Sequence, residues 1–436
     1  MNLLYLNDRR GKYPDSLYAE TSPELAPFPM LKGETRADVA VVGGGYTGLS
    51  AALHLARRGY AVILLEAHRV GFGASGRNGG QLGSGQRQEV DWLEAQFGRE
   101  TARRLWDLAE KAKALVRSLA AEAGVPVRDG VAHACRTQSE VDHAHRIAEH
   151  LAQHYDYARV QPLDGQGLAD LAGTQSYAGG DVDWGAGHLH PLNLAKGIAR
   201  LAHDAGAVIH ENTHVHRITH ARKPAEKTII HCDTGRVICD HVILAGNGYL
   251  GGIAPKIASK VMPINNYIVA TEPLGENFPE ILPQNPAVAD TKFVVNYWRL
   301  DDERRLIFGG GETVSYRFPK DIFAKVRPHL LSVYPQLGDV RLTHAWGGTL
   351  AITTNRMPCF VRPAVNCLSA SGFSGHGVGM ATLSGRLMAE AIAGQAEGFE
   401  VMEAIPTGGF PGGASLRGPL LVAGMAWYGL RDRLGF

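Results

Sequence analysis

Residues 39–66, VAVVGGGYTGLSAALHLARRGYAVILLE, decide the fold. Val39 to Val42 is an apolar run of strand length, Gly43 to Gly48 follows without a break, and Leu49 to Arg58 carries apolar residues at helical spacing. The reading is strand, tight turn, helix. In such a unit Gly43 permits the turn, Gly45 lets backbone N–H groups approach a pyrophosphate, and Gly48 lets the helix lie close to the strand. The phosphates then meet the positive end of a helix. A second apolar run, Ala61 to Leu65, ends at Glu66, where a carboxylate can accept hydrogen bonds from a ribose 2′-hydroxyl. The same carboxylate repels a 2′-phosphate, which argues against NADP. A glycine-rich surface turn would need none of these neighbours, so the stretch predicts a dinucleotide site; by itself it does not separate NAD from FAD.

A chain of 436 residues exceeds the size at which one core stops growing, and predicts two domains. With 44 Lys and Arg against 43 Asp and Glu, it offers neither nucleic acid nor an anionic membrane a strongly charged partner. The five cysteines are odd in number and form no CxxC pair, so reduced thiols in a cytoplasmic protein are expected. The apolar run at the start is too short for a secretory signal, and no stretch approaches the roughly 18–20 apolar residues that span a bilayer.

Residues 1–35, with Tyr13, Tyr18 and Phe28 among Pro14, Pro23, Pro27 and Pro29, read as an extended arm wrapping the body. A second glycine-rich loop, VGFGASGRNGGQLGSG, occupies 70–85; Arg77 and Asn78 add side-chain donors that a plain linker does not need. Glu89 to Ala123 reads as one long amphipathic helical region, closed by Gly124, that opens a different unit. His150 and His154 are one helical turn apart, but with no carboxylate completing a metal site they read as a solvated face; His188 and His190 read as structural. Ala207–His210 and His214–Ile218 read as paired strand material, and Lys227–Cys232 with Arg236–Cys239 as a hairpin. His241–Ala245 reads as a third buried strand ending at Gly246-Asn247-Gly248, where the nucleotide sheet resumes. Tyr267–Thr271, Phe293–Leu300 and Arg305–Gly310 read as antiparallel strands, and the Gly309-Gly310-Gly311 run as a strand end or bulge. A third loop, Gly372 to Gly377, opens a helix whose dipole suits a negative group such as the N1/C2=O region of a reduced flavin.

The expected fold is α/β: a discontinuous Rossmann-like nucleotide-binding domain over 36–88, 185–260 and 346–415, with an α+β, mainly antiparallel-sheet substrate domain over 89–184 and 261–345. A packed C-terminal helix is expected over 416–436, with a membrane-surface or oligomer contact as the minority reading. In order along the chain, VVGGGYTGLSAA, GASGRNGGQ, VILAGNG and SGFSGHGVGMATLSG resemble the FAD-dependent amine oxidoreductases of the D-amino acid oxidase and sarcosine oxidase class. Within that class, SLYAET, SGRNGGQ and the tail FPGGASLRGPLLVAGMAWYGLRDRL are most similar to the gamma-glutamylputrescine oxidoreductase group.

The resemblance implies that Gly43, Gly45, Tyr46, Thr47, Gly48, Glu66 and Ala67 hold the ADP part of FAD. Ser75, Asn78, Gly79, Gly80, Gln81 and Leu82 would line the pyrophosphate and flavin, Val215 the adenine, and Ala245, Gly246 and Asn247 the other side. Gly375, His376, Gly377, Val378, Gly379 and Met380 would meet the pyrimidine edge. Sarcosine oxidases tether flavin through a cysteine after the tryptophan-containing strand; Trp346 to Ala351 has none, so non-covalent FAD and no metal are expected. The implied reaction is oxidation of a C–N bond of gamma-glutamylputrescine by hydride transfer to flavin N5, with hydrolysis to aldehyde and ammonia and O2 or another acceptor taking the electrons. Such chemistry needs a neutral amine and no protein nucleophile. An amine substrate favours aromatic walls and a carboxylate favours a guanidinium, so His376, Tyr267 and Arg304 are the candidate catalytic residues, with Asn265, Tyr297, Trp298, Arg299 and Tyr316 as further substrate contacts. Of Tyr297 and Trp298, strand alternation sends one away from the site. The alternatives are a D-amino acid dehydrogenase or N-methyl amino acid oxidase of the same fold, and a non-catalytic FAD-binding partner protein; an NAD-dependent dehydrogenase is disfavoured by the two extra glycine loops. The chain can form oligomers without a motif that fixes their order.

Overall fold

The computed structural model describes residues 2–313 and 315–410; the expected helix over 416–436 lies outside them. Gly33–Val42 sits in the middle of an eight-stranded sheet. Val62–Leu65 and Val208–His210 lie to one side of it, Gly235–Leu244 and Cys367–Ser371 to the other, and all five run parallel. Burial on both faces explains their continuous apolar runs. Val39, Val41, Val62 and Leu64 face one apolar core, while Ala40, Val42, Ile63 and Leu65 face another, as the two-residue repeat of a strand requires. The chain leaves Gly33–Val42 in one direction and returns on its other side, so the ends of Gly33–Val42 and Gly235–Leu244 form the switch point at which doubly wound sheets bind ligands.

Tyr46–Ala56, Arg99–Ala123, Pro191–Asp204 and Gly377–Ile392 form the helical layer over the first core. Four expectations change here. The Glu89–Ala123 region is two helices, Val90–Phe97 and Arg99–Ala123, because Gly98 at φ 79° breaks the helical path. Its apolar stripe, including Leu105, Val116 and Leu119, packs into the core of the parallel sheet rather than opening another unit. His241–Leu244 is the second part of the ten-residue strand Gly235–Leu244, since no glycine or proline interrupts it after its start, and Val208–His210 pairs with Val62–Leu65 instead of the segment that follows it. The expected hairpin around Asp233-Thr234-Gly235 is present.

The second sheet has nine strands and is antiparallel except where Ala287–Asp290 runs parallel to Val127–Cys135. From one edge its order is Leu342–Ile352, Met262–Pro273, Arg305–Thr313, Tyr297–Leu300 and Ala287–Asp290, then Val127–Cys135, Gly179–Leu189 and the short Gln81–Leu82. The divisions expected at 184/185 and 345/346 therefore fall inside Gly179–Leu189 and Leu342–Ile352. One face of this sheet buries Tyr267, Trp298 and Phe308 against the helices Gly165–Ala172 and Ile322–Val333. The other face is turned to the cavity described below.

The N-terminal arm joins the two sheets. Its helical turn Leu17–Thr21, capped by the Ser16 hydroxyl on Ala19 N–H, buries Leu17 and Tyr18. The Tyr18 ring packs edge-on to Trp346 and against His190, and its hydroxyl accepts a hydrogen bond from Arg299 at 3.2 Å. Tyr18→Ala removes a fully buried aromatic from this junction, and is expected to cost about 3–5 kcal/mol in a urea-unfolding measurement.

Candidate active site

At the switch point the backbone comes too close for side chains. Gly43 has φ 111°, and a Cβ there would lie 2.8 Å from the Ala245 carbonyl oxygen. A Cβ on Gly48 would lie 1.9 Å from the Gly43 carbonyl oxygen, and one on Gly45 would lie 2.9 Å from Ser75 Oγ. Tyr46–Ala56 starts at this cradle with N–H groups that no helical carbonyl can reach. Ser75 Oγ takes the N–H of Tyr46 at 2.9 Å, while Gly45 and Thr47 line the opening. Glu66 is buried, with Oε2 accepting from Gly44 N–H at 2.6 Å and Oε1 from His68 N–H at 2.8 Å. Burial outweighs these two bonds and pushes its acid up to about 7.

The cradle is one end of a cavity of about 1550 Å³. Ala67, Val215, Ala245, Gly246 and Asn247 lie on its wall beside the cradle. The second loop is held in shape by its own side chains. Asn78 donates to the Ala74 and Ser75 carbonyls at 3.0 and 3.1 Å and accepts from Gly80 N–H at 2.7 Å. Arg77, expected as a donor toward a ligand, is instead a buried tie: it donates to the Phe72 carbonyl, to Asp8 of the arm and to the Gly347 carbonyl. Gly79 and Gln81 face the cavity, whereas Gly80 and Leu82 lie behind the wall, Leu82 packing under Gly379. Downstream, the buried Lys113 ammonium donates to Ser84 Oγ at 2.5 Å and to the Tyr157 hydroxyl at 2.8 Å, and Tyr157 donates to Asp183 at 2.6 Å.

The third loop reaches the same cavity through Gly375, His376, Gly377 and Val378; Gly379 and Met380 are on the buried side of the Gly377–Ile392 helix. His376 Nε2 donates to the Gly85 carbonyl at 2.8 Å, which leaves Nδ1 as an acceptor. Burial, together with the Arg87 charge, lowers its pKa to about 4, so the ring is neutral at physiological pH.

The far wall belongs to the second sheet, and here sequence reading chose the wrong face of one strand. Tyr267 is fully buried in the opposite core, its hydroxyl bonded to Thr313 Oγ1 at 2.5 Å, and Asn265 is spent on the Ser315 and Tyr316 carbonyls. Asn266, between them, faces the cavity. Arg304 sits in the turn after Tyr297–Leu300 with a left-handed backbone, φ 56°, and donates to the Gly275 and Phe278 carbonyls, away from the site. Arg299 is a buried brace between Gly79 O and Tyr18, and Trp298 is core, donating to the Tyr334 hydroxyl. Tyr297 and Tyr316 do line the cavity. Sequence reading missed Asn266, Glu312 and the His133–Asp181 pair, whose Nδ1–Oδ1 distance is 2.9 Å and in which the aspartate raises the histidine to about 9. Strand alternation sets Asn266 opposite Asn265 and Tyr267 but does not say which side meets the cavity, and nothing in Arg128 to Arg136 singles out His133. His150, read as solvated, meets Glu94 of a neighbouring helix at 3.0 Å.

The model of the family described as "FAD dependent oxidoreductase" (DAO) matches residues 38–391. The chain belongs to this family. Among its relatives, a probable oxidoreductase OrdL of Rhizobium meliloti (strain 1021) is 40% identical, over 96% of this chain and 97% of its own length. The gamma-glutamylputrescine oxidoreductase of Escherichia coli (strain K12) is 37% identical over 97% of this chain and 99% of its own. In fold, the chain matches the glycine oxidase from Geobacillus kaustophilus with a TM-score of 0.68 at 21% identity, covering 83% of this chain and 95% of that one. The protein is thus a DAO-family, FAD-dependent oxidoreductase.

The residues present fit FAD. The glycine cradle leaves backbone N–H groups open where a pyrophosphate needs them, a buried carboxylate waits at the ribose position, and the cavity continues to the third loop. Gly48→Ala should lower stability by about 1–3 kcal/mol in urea unfolding and reduce FAD content, because the new methyl group meets backbone that cannot yield. The acid of Glu66 gives a pH dependence of two opposite signs. The folded apoprotein binds a proton that the unfolded chain does not between the ordinary carboxylate range and about 7, so its stability rises as pH falls through 7. Ribose hydroxyls favour the charged carboxylate, so FAD affinity falls over the same range. Calorimetric titration of the apoprotein should show that fall, and Glu66→Gln should flatten it.

Proposed function

We propose that the enzyme oxidises the primary amine of gamma-glutamylputrescine, or a close acylated diamine, to the aldehyde with release of ammonia. The observation that carries this reading is the reach of one cavity from the glycine cradle, past a helix N-terminus, to a wall of Asn266, Tyr297 and Tyr316, in a chain 37% identical to gamma-glutamylputrescine oxidoreductase over nearly its whole length. On this reading the parallel sheet and its loops hold non-covalent FAD, and the antiparallel sheet receives the substrate.

When bound, the flavin supplies a two-electron acceptor at its ring. Gly45 and Thr47 would hold the pyrophosphate, with the Tyr46 N–H spent on Ser75 Oγ, and Glu66 would hold the ribose. The start of Gly377–Ile392, whose positive end opens on the cavity, would meet the pyrimidine edge and would stabilise negative charge there. His376 is neutral, so it adds no charge of its own, and its Nδ1 would be an acceptor between cofactor and substrate. The aromatic wall excludes water and presents ring faces to a cation. Cys135 is the one cysteine on the cavity wall, and burial pushes its thiol up to about 12, which keeps it protonated and unreactive toward a flavin tether.

Mixing the FAD-loaded protein anaerobically with gamma-glutamylputrescine should bleach the flavin absorbance, and turnover in air should yield hydrogen peroxide in step with aldehyde. Bleaching by D-alanine or glycine but not by the amine would replace this reading with an amino acid dehydrogenase or oxidase.

A further inference from the structure

Met262–Pro273, Tyr297–Leu300 and Arg305–Thr313 turn one face to the cavity, and that face holds a carboxylate without a partner among the described residues. Asn266 lies directly opposite Glu312, and Tyr297 opposite Gly309, so these side chains share a face. A Cβ on Gly309 would lie 2.0 Å from the Tyr297 ring, so only glycine lets the ring lie along the strand. Tyr297 donates to Asn266 Oδ1 at 2.5 Å, which satisfies both residues. Ile268 then pairs with Gly309, so Gly310 and Gly311 stand opposite the single residue Tyr267 in a one-residue bulge that ends at Glu312, with Gly311 at φ 73°. A bulge of this kind re-aims the side chain beside it.

Among the described residues, no hydrogen bond or ion pair holds the Glu312 carboxylate, although it is partly buried on the cavity wall. An unpaired carboxylate in such a place is costly unless a cation arrives to meet it. The charges around it are Arg356 and Lys292 on the cavity wall, and Lys325 and His329 behind the bulge, 3.3 and 3.5 Å from where a Gly311 Cβ would stand. Burial raises the Glu312 acid to about 7, and the Arg356 charge opposes that rise.

We infer that Glu312 is the contact for the substrate's ammonium group and selects amines whose reacting carbon bears no carboxylate. This rests on the proposed amine oxidation. An α-amino acid would set a second negative charge near Glu312, whereas an alkylamine arm brings only the cation. The carboxylate also takes the proton that must leave: one N–H bond of the ammonium breaks, an O–H bond forms on Glu312, and the electron pair stays on nitrogen as a neutral amine. The proton departs later with the released ammonia, as ammonium.

The test uses FAD-loaded wild type, Glu312→Gln and Glu312→Asp. In anaerobic stopped-flow reduction by gamma-glutamylputrescine, Glu312→Gln should lose roughly 30-fold or more in kcat/KM, as expected for an uncompensated charge contact. FAD content should be unchanged and Glu312→Asp should recover part of the rate. The rise of kcat/KM with pH through about 7 should vanish in Glu312→Gln. Calorimetric titration with butyltrimethylammonium, which cannot be oxidised, should weaken about tenfold in Glu312→Gln. Retention of both rate and cation affinity within about threefold, less than one such contact contributes, overturns the inference while leaving amine oxidation intact. Wild-type flavin that no amine bleaches sinks the amine reading instead, and the cation titration then decides Glu312 alone: lost affinity upholds the contact and kept affinity overturns it.

Discussion

Backbone meeting backbone, with no side chain between, is the constraint on which this molecule rests. The Gly43 carbonyl stands where a Cβ of Gly48 would be, and the Thr47 carbonyl stands 2.2 Å from where a Cβ of Gly385 would be. The first contact presses Tyr46–Ala56 onto its strand, and the second presses Gly377–Ile392 onto Tyr46–Ala56. Two helices that begin over three hundred residues apart are thereby seated side by side with both N-termini on one cavity. On the proposed reading their dipoles would act on a common ligand, one at the pyrophosphate and one at the ring.

Around that fixed pair, the loops are rigid because their polar groups are spent on one another. Asn78 closes the second loop on itself, Arg77 ties it to the arm and to Leu342–Ile352, and His376 links the third loop to Gly85. Such internal satisfaction leaves backbone rather than flexible side chains to meet the cofactor. The wall facing the substrate is built differently, from side chains of one sheet face whose directions follow the pleat and one bulge.

The parallel half was legible because local rules act there over short spans. A strand, three glycines at fixed spacing, a helix and an acid at the next strand end leave few other folds open. The substrate wall was not, because it depends on register. Asn265 and Tyr267 have the right chemistry, but choosing them rather than Asn266 inverts the strand, and no local feature of NNYIV says which side faces inward. Arg304 looked like a carboxylate ligand until the hairpin turn aimed it at the Gly275 carbonyl, and Arg299 was claimed by Tyr18 and the Gly79 carbonyl, partners hundreds of residues away. Glu312 became visible only with the bulge that aims it.

The single parallel junction in the second sheet has a consequence for how the chain is made. Ala287–Asp290 inserts beside Val127–Cys135, and Gly33–Val42 likewise waits for Gly235–Leu244, which in turn waits for Cys367–Ser371. Neither sheet can close while only the first half of the polypeptide has left the ribosome. Unpaired strand edges therefore persist through most of synthesis, and folding is a late event dominated by distant pairings. Those edges call for shielding while the chain is being made.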